Sequence, residues 1–126
     1  MRKQYHFRQS PDGLLAWDVD RLVALARNLP VEWVDLAAIR ELDEPYWSGI
    51  NGASLTCREV VEHARLMIEC DLSYPIILSS EGRVMDGMHR VGEALLQGRE
   101  RIRAVRLPSD PPPDFVGLSP DELPYS

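Results

Sequence analysis

The 126-residue sequence is poor in cysteine, histidine and phenylalanine, with two, three and two residues respectively. Two cysteines and no Cys-x-x-Cys pair are too few for a disulfide framework or a structural zinc site. Cys57 and Cys70 fall on one predicted helix, about 20 Å apart, so we expect two free thiols. Long apolar runs and a signal-peptide core are also lacking, so we expect a cytoplasmic protein with no membrane partner.

Positive charge is scarce as well. The chain has 14 Lys and Arg against 20 Asp and Glu, a formal net charge of −6. Affinity for DNA or RNA depends on neutralising phosphates, so we expect no direct DNA binding, although a local basic patch is compatible with this balance. The length and a 44% apolar content are typical of one globular domain.

Hydrophobic periodicity and turn residues predict the order helix, strand, helix, two strands, helix, strand. The predicted helices cover residues 17–29, 56–70 and 88–97, and the strands cover 31–36, 75–78, 83–85 and 102–107. Thr56 and Glu59 form a capping box at the second helix start, after a glycine-containing loop at 48–54. This order predicts a small α/β (α+β) domain with a mixed sheet and flanking helices over residues 17–107. An N-terminal arm (1–16) precedes it and a Pro-rich tail (108–126) follows.

One predicted strand passes into a helix through the segment Asp86-Gly87-Met88-His89-Arg90. Gly87 allows a sharp turn and close approach of a ligand, and the unpaired amides that follow favour an anion at the helix N-terminus. His89 and Arg90 add donors, and Asp86 could hold magnesium, a sugar hydroxyl or a proton. These residues are typical of a phosphate or nucleotide site.

A purely structural account of the same segment is also open. Asp86 would then cap the helix, Arg90 would form a surface salt bridge, and His89 would be an interfacial histidine. Spacing alone does not decide between the two accounts.

The segment 74–98, with its Pro-Ile strand, Gly-Arg-Val hairpin, Asp-Gly-x-His-Arg turn and helix ending in glycine, resembles the ParB/sulfiredoxin-like superfamily. The resemblance covers residues 31–107 and is strongest over 74–107. It implies a small α/β domain that binds a nucleotide phosphate at this turn: CTP in ParB proteins, ATP in sulfiredoxins and ADP in a free-serine kinase branch. The chain is most similar to short, single-domain ParB-like proteins.

The sequence departs from this family at two points, and each makes one of the family's activities unexpected for this chain. Sulfiredoxins carry a catalytic cysteine immediately before the His-Arg pair, whereas this chain has Met88, which cannot attack a phosphoryl group. Chromosome-partitioning ParB proteins continue into a helix-turn-helix module, whereas the sequence here ends about twenty residues after its last predicted strand.

The kinase branch implies a glutamate that acts as base for the substrate hydroxyl, in the segment after the first strand. Glu41 and Glu44 both fall in this segment, and spacing does not choose between them. A solvated acidic loop is the alternative for both. Tyr46 and Trp47 could stack on a base or substrate ring, or belong to a small core.

Four other residues complete the expectations. We interpret His63 as a surface residue and Trp33 as a core residue, whereas Arg101 and Arg103 belong to a solvated edge that could extend a basic rim near the phosphates.

The sequence therefore favours a nucleotide- or phosphate-binding ParB-like domain with a regulatory or interaction role. Its ligand would be a nucleoside di- or triphosphate with magnesium, or another small anion, held at Gly87, Met88, His89 and Arg90 with Asp86 as the magnesium ligand. The alternative is a small ATP- or ADP-dependent phosphotransferase or nucleotide hydrolase that uses Asp86, His89 and either Glu41 or Glu44 in catalysis. A homodimer through the helices or the tail is compatible with both.

Overall fold

Two small sheets and three helices form the chain over residues 3–48 and 53–125, which the computed structural model describes. The helices are α1 (Val19–Ala26), α2 (Cys57–Glu69) and α3 (Met88–Leu96). The strands are β1 (Tyr5–Ser10), β2 (Gly13–Asp18), β3 (Glu32–Asp35), β4 (Ile76–Leu78), β5 (Val84–Asp86), β6 (Arg101–Arg106) and β7 (Phe115–Val116). The predicted mixed α+β class is confirmed. Residues 49–52 of the predicted loop lie outside the described residues.

The four-stranded sheet has the order β3-β6-β4-β5, with β4 and β6 parallel and the other pairs antiparallel. Because successive side chains of a strand point to opposite faces, this sheet is buried on both sides. Ile76 and Leu78 pack on one face with Val91 of α3. Ile77 packs on the other face with Trp17 and with Leu22 of α1.

The second sheet joins the two ends of the chain. Residues of the predicted N-terminal arm form the β1–β2 hairpin, and β7 of the Pro-rich tail pairs with β2 in the order β1-β2-β7. The buried indole of Trp17 donates a hydrogen bond to the carbonyl of Pro111 at 2.8 Å. The arm and the tail are therefore ordered parts of one packed structure.

The interpretation of Trp33 as a core residue is wrong. Its side chain is 54% exposed on β3, which lies at an edge of the four-stranded sheet. Alternation along β3 directs Val34 toward the core, so Trp33 faces outward beside Arg103 of β6.

Cys57 is exposed and Cys70 is half-buried, and both are free thiols. Within the described part of the chain, none of the helices combines the length and the apolar character needed to cross a membrane.

Candidate functional site

The predicted strand-to-helix turn is present at residues 86–88. Strand β5 ends at Asp86, α3 begins at Met88, and Gly87 between them has φ 105° and ψ 23°. This left-handed conformation is accessible to glycine at no steric cost. Among the described residues, no side chain caps the amides at the start of α3. The helix N-terminus therefore keeps its capacity to bind an anion.

A cavity of about 680 Å³ lies beside this turn. Its walls come from β1, the segment after β3, α2 and the run from Arg83 through β5 to His89, with single residues of β2 and α1 completing the lining. The polar and aromatic lining residues include His6, Arg8, Glu41, Tyr46, Trp47, His63, Arg83, Asp86 and His89. The fold thus brings Asp86, His89, Glu41 and both predicted aromatic residues to one cavity.

His89 forms a hydrogen-bonded pair with His63 of α2. His63 Nδ1 and His89 Nε2 are 2.8 Å apart, and the two ring planes are 24° apart with centroids separated by 5.1 Å. These values describe two nearly coplanar imidazoles that meet edge to edge, the favourable geometry for a hydrogen bond between ring nitrogens. The Trp47 ring is within 19° of parallel to both, with centroids 4.6 Å from His63 and 5.0 Å from His89. Trp47 therefore covers the pair and limits its contact with water.

The histidine pair is electrically neutral at neutral pH. Burial lowers the pKa of His63, partly offset by Glu59 and Glu62, and burial together with the nearby His63 lowers the pKa of His89. In a neutral pair one inner nitrogen donates and the other accepts, so the two outer nitrogens comprise one donor and one acceptor. The pair can therefore both donate to a ligand and take up a proton from it.

Glu41 is a buried carboxylate, with 3% of its surface exposed. Its Oε2 accepts from the Val84 amide at 2.8 Å and pairs with Arg83 Nε at 3.1 Å, while its buried Oε1 has no hydrogen-bond partner among the described residues. An unpaired buried acceptor is costly, so Oε1 is a natural acceptor for a hydroxyl or a water in the cavity.

Glu44 takes a different position. It binds the outer edge of Arg83, with Arg83 Nη1 donating to Glu44 Oε2 at 3.0 Å, and lies exposed outside the set of cavity-lining residues. Of the two predicted glutamates, the structure therefore brings only Glu41 to the cavity. Tyr46 lies between the acidic groups: burial, and then the charges of Glu41 and Asp86, raise its pKa to about 12. Its hydroxyl consequently remains a donor at neutral pH.

Arg90 forms a salt bridge with Asp86 and does not line the cavity. Arg90 Nη2 is 3.1 Å from Asp86 Oδ2, and Arg90 lies outside the set of described residues that line the cavity. The guanidinium packs over Gly87, where a β-carbon would come within 2.6 Å of Nη2. Arg90 thus forms a half-buried salt bridge with Asp86 and packs against the turn. The structural account of the sequence predicted a surface salt bridge for Arg90 and a helix cap for Asp86; among the described residues no side chain caps α3.

Sequence reasoning missed His63, Arg83 and the β1 side of the cavity. Helical periodicity places His63 beside Glu59 and Glu62, which suggested a solvated face; its partner His89 is on another helix, so only helix packing reveals the pair. The i, i+4 spacing of Asp86 and Arg90 was the available signal that these two side chains would pair. Arg101 and Arg103 line a separate cleft and do not extend a basic rim at the turn.

Over residues 3–48 and 53–125, no three His, Cys, Asp or Glu side chains gather in a way that could hold a metal ion. Magnesium is commonly held by one or two carboxylates together with substrate phosphates. Asp86 alone could serve in that manner, and only through the oxygen that Arg90 leaves unbound.

Comparison of the chain with protein-family models, with curated proteins and with solved structures finds no match.

Proposed function

We propose that this chain is a nucleotide- or phosphate-binding domain of ParB/sulfiredoxin-like type with a regulatory or interaction role. The observation that carries the proposal is the start of α3, whose amides have no side-chain cap among the described residues and whose first turn lines a cavity of about 680 Å³. A phosphate oxygen at this position would accept from the free amides and experience the favourable end of the helix dipole.

The charges around the cavity support an anionic ligand. Each carboxylate that lines it is matched by an arginine: Glu41 by Arg83 at 3.1 Å and Asp86 by Arg90 at 3.1 Å. The repulsion that these acids would exert on a phosphate is therefore largely cancelled. Arg8 and the one outer nitrogen of the histidine pair that carries a proton then add donors at the same cavity.

The aromatic residues of the cavity support a nucleotide over inorganic phosphate. Tyr46 and Trp47 meet edge to face with centroids 6.0 Å apart, and Phe7 of β1 lines the same cavity. A planar base gains dispersion energy against such rings. Magnesium that accompanies the phosphates would be held by the free oxygen of Asp86.

Calorimetric titration tests the proposal with ADP, ATP, CTP and inorganic phosphate, each with magnesium. We expect at least one nucleotide to bind, and His89→Ala to weaken that binding about tenfold because a hydrogen bond to a charged group is lost. Arg27→Gln, a surface change on the residue that follows α1, is the control and should leave affinity unchanged. Absence of binding by all four ligands, or equal affinity in wild type and His89→Ala, would contradict the proposal.

A second candidate function is phosphoryl transfer or nucleotide hydrolysis, favoured by Glu41, which lines the same cavity and whose buried Oε1 has no hydrogen-bond partner among the described residues. Glu41 would accept the proton of an acceptor hydroxyl while that oxygen attacks the terminal phosphorus and the shortened nucleotide leaves. His89 would donate to the transferred group.

Product analysis distinguishes the two functions. Wild type is incubated with ATP or ADP and with either water or free serine as acceptor, and the release of the shortened nucleotide is followed. If the chain is an enzyme, Glu41→Gln should abolish release and keep nucleotide affinity, whereas Glu44→Gln should retain release because Glu44 lies outside the cavity. No release by wild type, with nucleotide bound, identifies a binding domain.

A further inference from the structure

A second cleft, of about 500 Å³, lies away from the α3 turn. It is lined by Trp33 of β3, by three arginines on or just before β6 (Arg99, Arg101 and Arg103), and by residues 70–73 after α2. None of these residues lines the first cavity.

Trp33 presents an exposed aromatic ring in this cleft. It lies opposite Arg103 in the register of β3 and β6, and the guanidinium carbons of Arg103 and Arg101 are 5.0 Å and 6.0 Å from the ring centroid. A guanidinium that stacks on an indole uses its face, so its in-plane N–H groups remain free for an anion. The stacking also fixes the orientation of these donors before a ligand arrives.

The arginines of the cleft have no acidic partner. Arg8, Arg21, Arg65, Arg83, Arg90 and Arg106 each form a salt bridge. Arg99, Arg101 and Arg103 form none with any residue from 3 to 48 or 53 to 125. The acidic residue that lines the cleft is Asp71, whose Oδ1 accepts from the Ser73 amide at 2.9 Å. Asp35 lies opposite Arg101 in the register of β3 and β6, and Arg99 Nε donates to Gln97 Oε1 at 2.9 Å. With three arginines against Asp71 in its lining, the cleft carries an excess of positive charge in a chain whose net charge is −6.

We propose that this cleft binds a nucleotide unit, with the base packed against the exposed part of the Trp33 ring that Arg101 and Arg103 leave uncovered, and with the phosphate on the arginines of the cleft. Exposed arginines alone would suit any anion, and an exposed indole alone would suit any apolar group. The combination of a ring and free guanidinium edges in one cleft matches a ligand in which a planar base and a phosphate are joined. The unit could be a free nucleotide or part of single-stranded nucleic acid.

Fluorescence titration of the full chain at low salt tests the proposal with 5′-AMP, a ten-residue oligouridylate, inorganic phosphate and a ten-residue oligoglutamate. Trp33 is the most exposed of the three tryptophans, and subtraction of a Trp33→Phe titration isolates its signal. We expect Trp33 quenching by AMP or the oligouridylate, and at least tenfold weaker binding in the double variant Arg101→Gln/Arg103→Gln. Arg58→Gln, an exposed arginine on α2 without a salt bridge in the described chain, removes the same type of charge elsewhere and should change nothing.

Comparable affinity for AMP and oligouridylate identifies a free nucleotide as the ligand; tighter oligouridylate binding with a steep salt dependence identifies nucleic acid. The double variant Arg101→Lys/Arg103→Lys keeps the positive charge, and circular dichroism checks that it is folded. We expect it to bind more weakly than wild type because lysine lacks the planar guanidinium fork. Quenching by neither nucleotide ligand, or oligoglutamate binding as tight as that of oligouridylate, would overturn the proposal. A His89→Ala variant that still shows Trp33 quenching separates this cleft from the α3 site.

Discussion

Arg83 is shared by two glutamates in different surroundings. Its Nε faces the buried Glu41, and the outer edge of its guanidinium faces the exposed Glu44. One guanidinium group thus forms a buried ion pair with Glu41 and a solvent-exposed ion pair with Glu44. Salt bridges in water contribute little, whereas loss of one partner of a buried pair leaves an uncompensated charge.

Glu41→Ala should therefore lower the free energy of unfolding by about 2 kcal/mol, since the buried Val84 amide loses its acceptor, while Arg83 keeps its pairing with Glu44. Glu44→Ala is the matched control and should have little effect. Urea denaturation of the two variants measures both values. Equal destabilisation would show that the burial of Glu41 does not determine its contribution.

The three histidines should all titrate below the ordinary imidazole pKa of 6.5. Burial, and then Arg8, lower the pKa of His6 to about 4, and burial lowers the pKa of His63 and His89. Because the folded state binds fewer protons than the unfolded chain in this range, their contribution to stability is present above pH 6.5 and is lost as pH falls toward 4. An imidazole NMR titration measures each value directly. A His63 or His89 titration above 6.5 would contradict the neutral pair.

How far the sequence predicts the site differs from residue to residue. Gly87 and the start of α3 follow from local rules, because a strand, a glycine and a helix pattern succeed each other within a few residues. The choice of Glu41 over Glu44 depends on which way a short 3₁₀ turn at residues 40–43 directs each side chain, and residue type does not encode this. The His63–His89 contact spans 26 residues and depends on how α2 packs on α3.

At the scale of elements, the β5–α3 turn combines a left-handed backbone conformation, which glycine adopts without strain, with close packing. Gly87 has φ 105°, and a β-carbon there would lie 2.7 Å from Ile76 Cγ2 as well as against Arg90. Gly98, after α3, has φ 73° but no neighbouring atom within 4 Å of such a carbon. Both positions have a positive φ, but only Gly87 is also closely packed, so a comparison of the two separates the cost of backbone conformation from the cost of packing.

Gly98→Ala should cost about 1 kcal/mol, the expense of a left-handed residue with a β-carbon. Gly87→Ala should cost roughly 1–3 kcal/mol more, because Ile76 of the core and the Arg90 guanidinium must also move. Urea denaturation gives both free energies, and the difference between them is the quantity predicted. Equal losses would mean that the turn relaxes around the methyl group without cost.

Element boundaries within the central domain were well predicted, including the capping box of Thr56 and Glu59, whose two hydrogen bonds are both present at 3.1 Å. The β1–β2 hairpin was missed because its strands are mostly half-buried and carry a weak alternation. Strand β7 has two residues, which is too short for any periodic signal. Its existence depends on pairing with β2, almost a hundred residues earlier in the chain.

At the scale of the whole molecule, the Pro-rich tail contributes to the stability of the fold. Asp114 accepts from the Asp18 amide at 2.8 Å and pairs with Arg21 at 2.9 Å, and Leu123 is buried. Trp17, itself 2% exposed, depends on the Pro111 carbonyl for its indole N–H. The tail thus provides hydrogen-bond and salt-bridge partners for the N-terminal hairpin and α1, among them the acceptor for the buried indole of Trp17.

A chain that ends at Pro108 should be destabilised by at least about 3 kcal/mol, because an indole N–H and the apolar surface beneath the tail lose their cover. A chain that ends at Leu123 loses the contact of the Tyr5 hydroxyl with the Pro124 carbonyl, the edge-on packing of Tyr125 on Tyr5 at 5.5 Å and the bond of the Tyr125 hydroxyl to the Pro120 carbonyl. It should lose about 1–2 kcal/mol, less than the chain that ends at Pro108. Thermal and urea unfolding compare the three lengths. If removal of the tail left the free energy of unfolding unchanged, the tail would be a linker and not a part of the fold.

Both sheets pair early segments of the chain with late ones: β3 pairs with β6, and β2 pairs with β7. During synthesis on the ribosome, which proceeds from the N-terminus, β2 can pair with β1 at once, whereas the pairing of β2 with β7 and of β3 with β6 must wait for strands that emerge late. Meanwhile the β1–β2 hairpin and the edge of β3 are exposed to other nascent chains. Until β6 and β7 are available, β2 and β3 each keep an unpaired strand edge, which is the kind of edge that pairs with other chains.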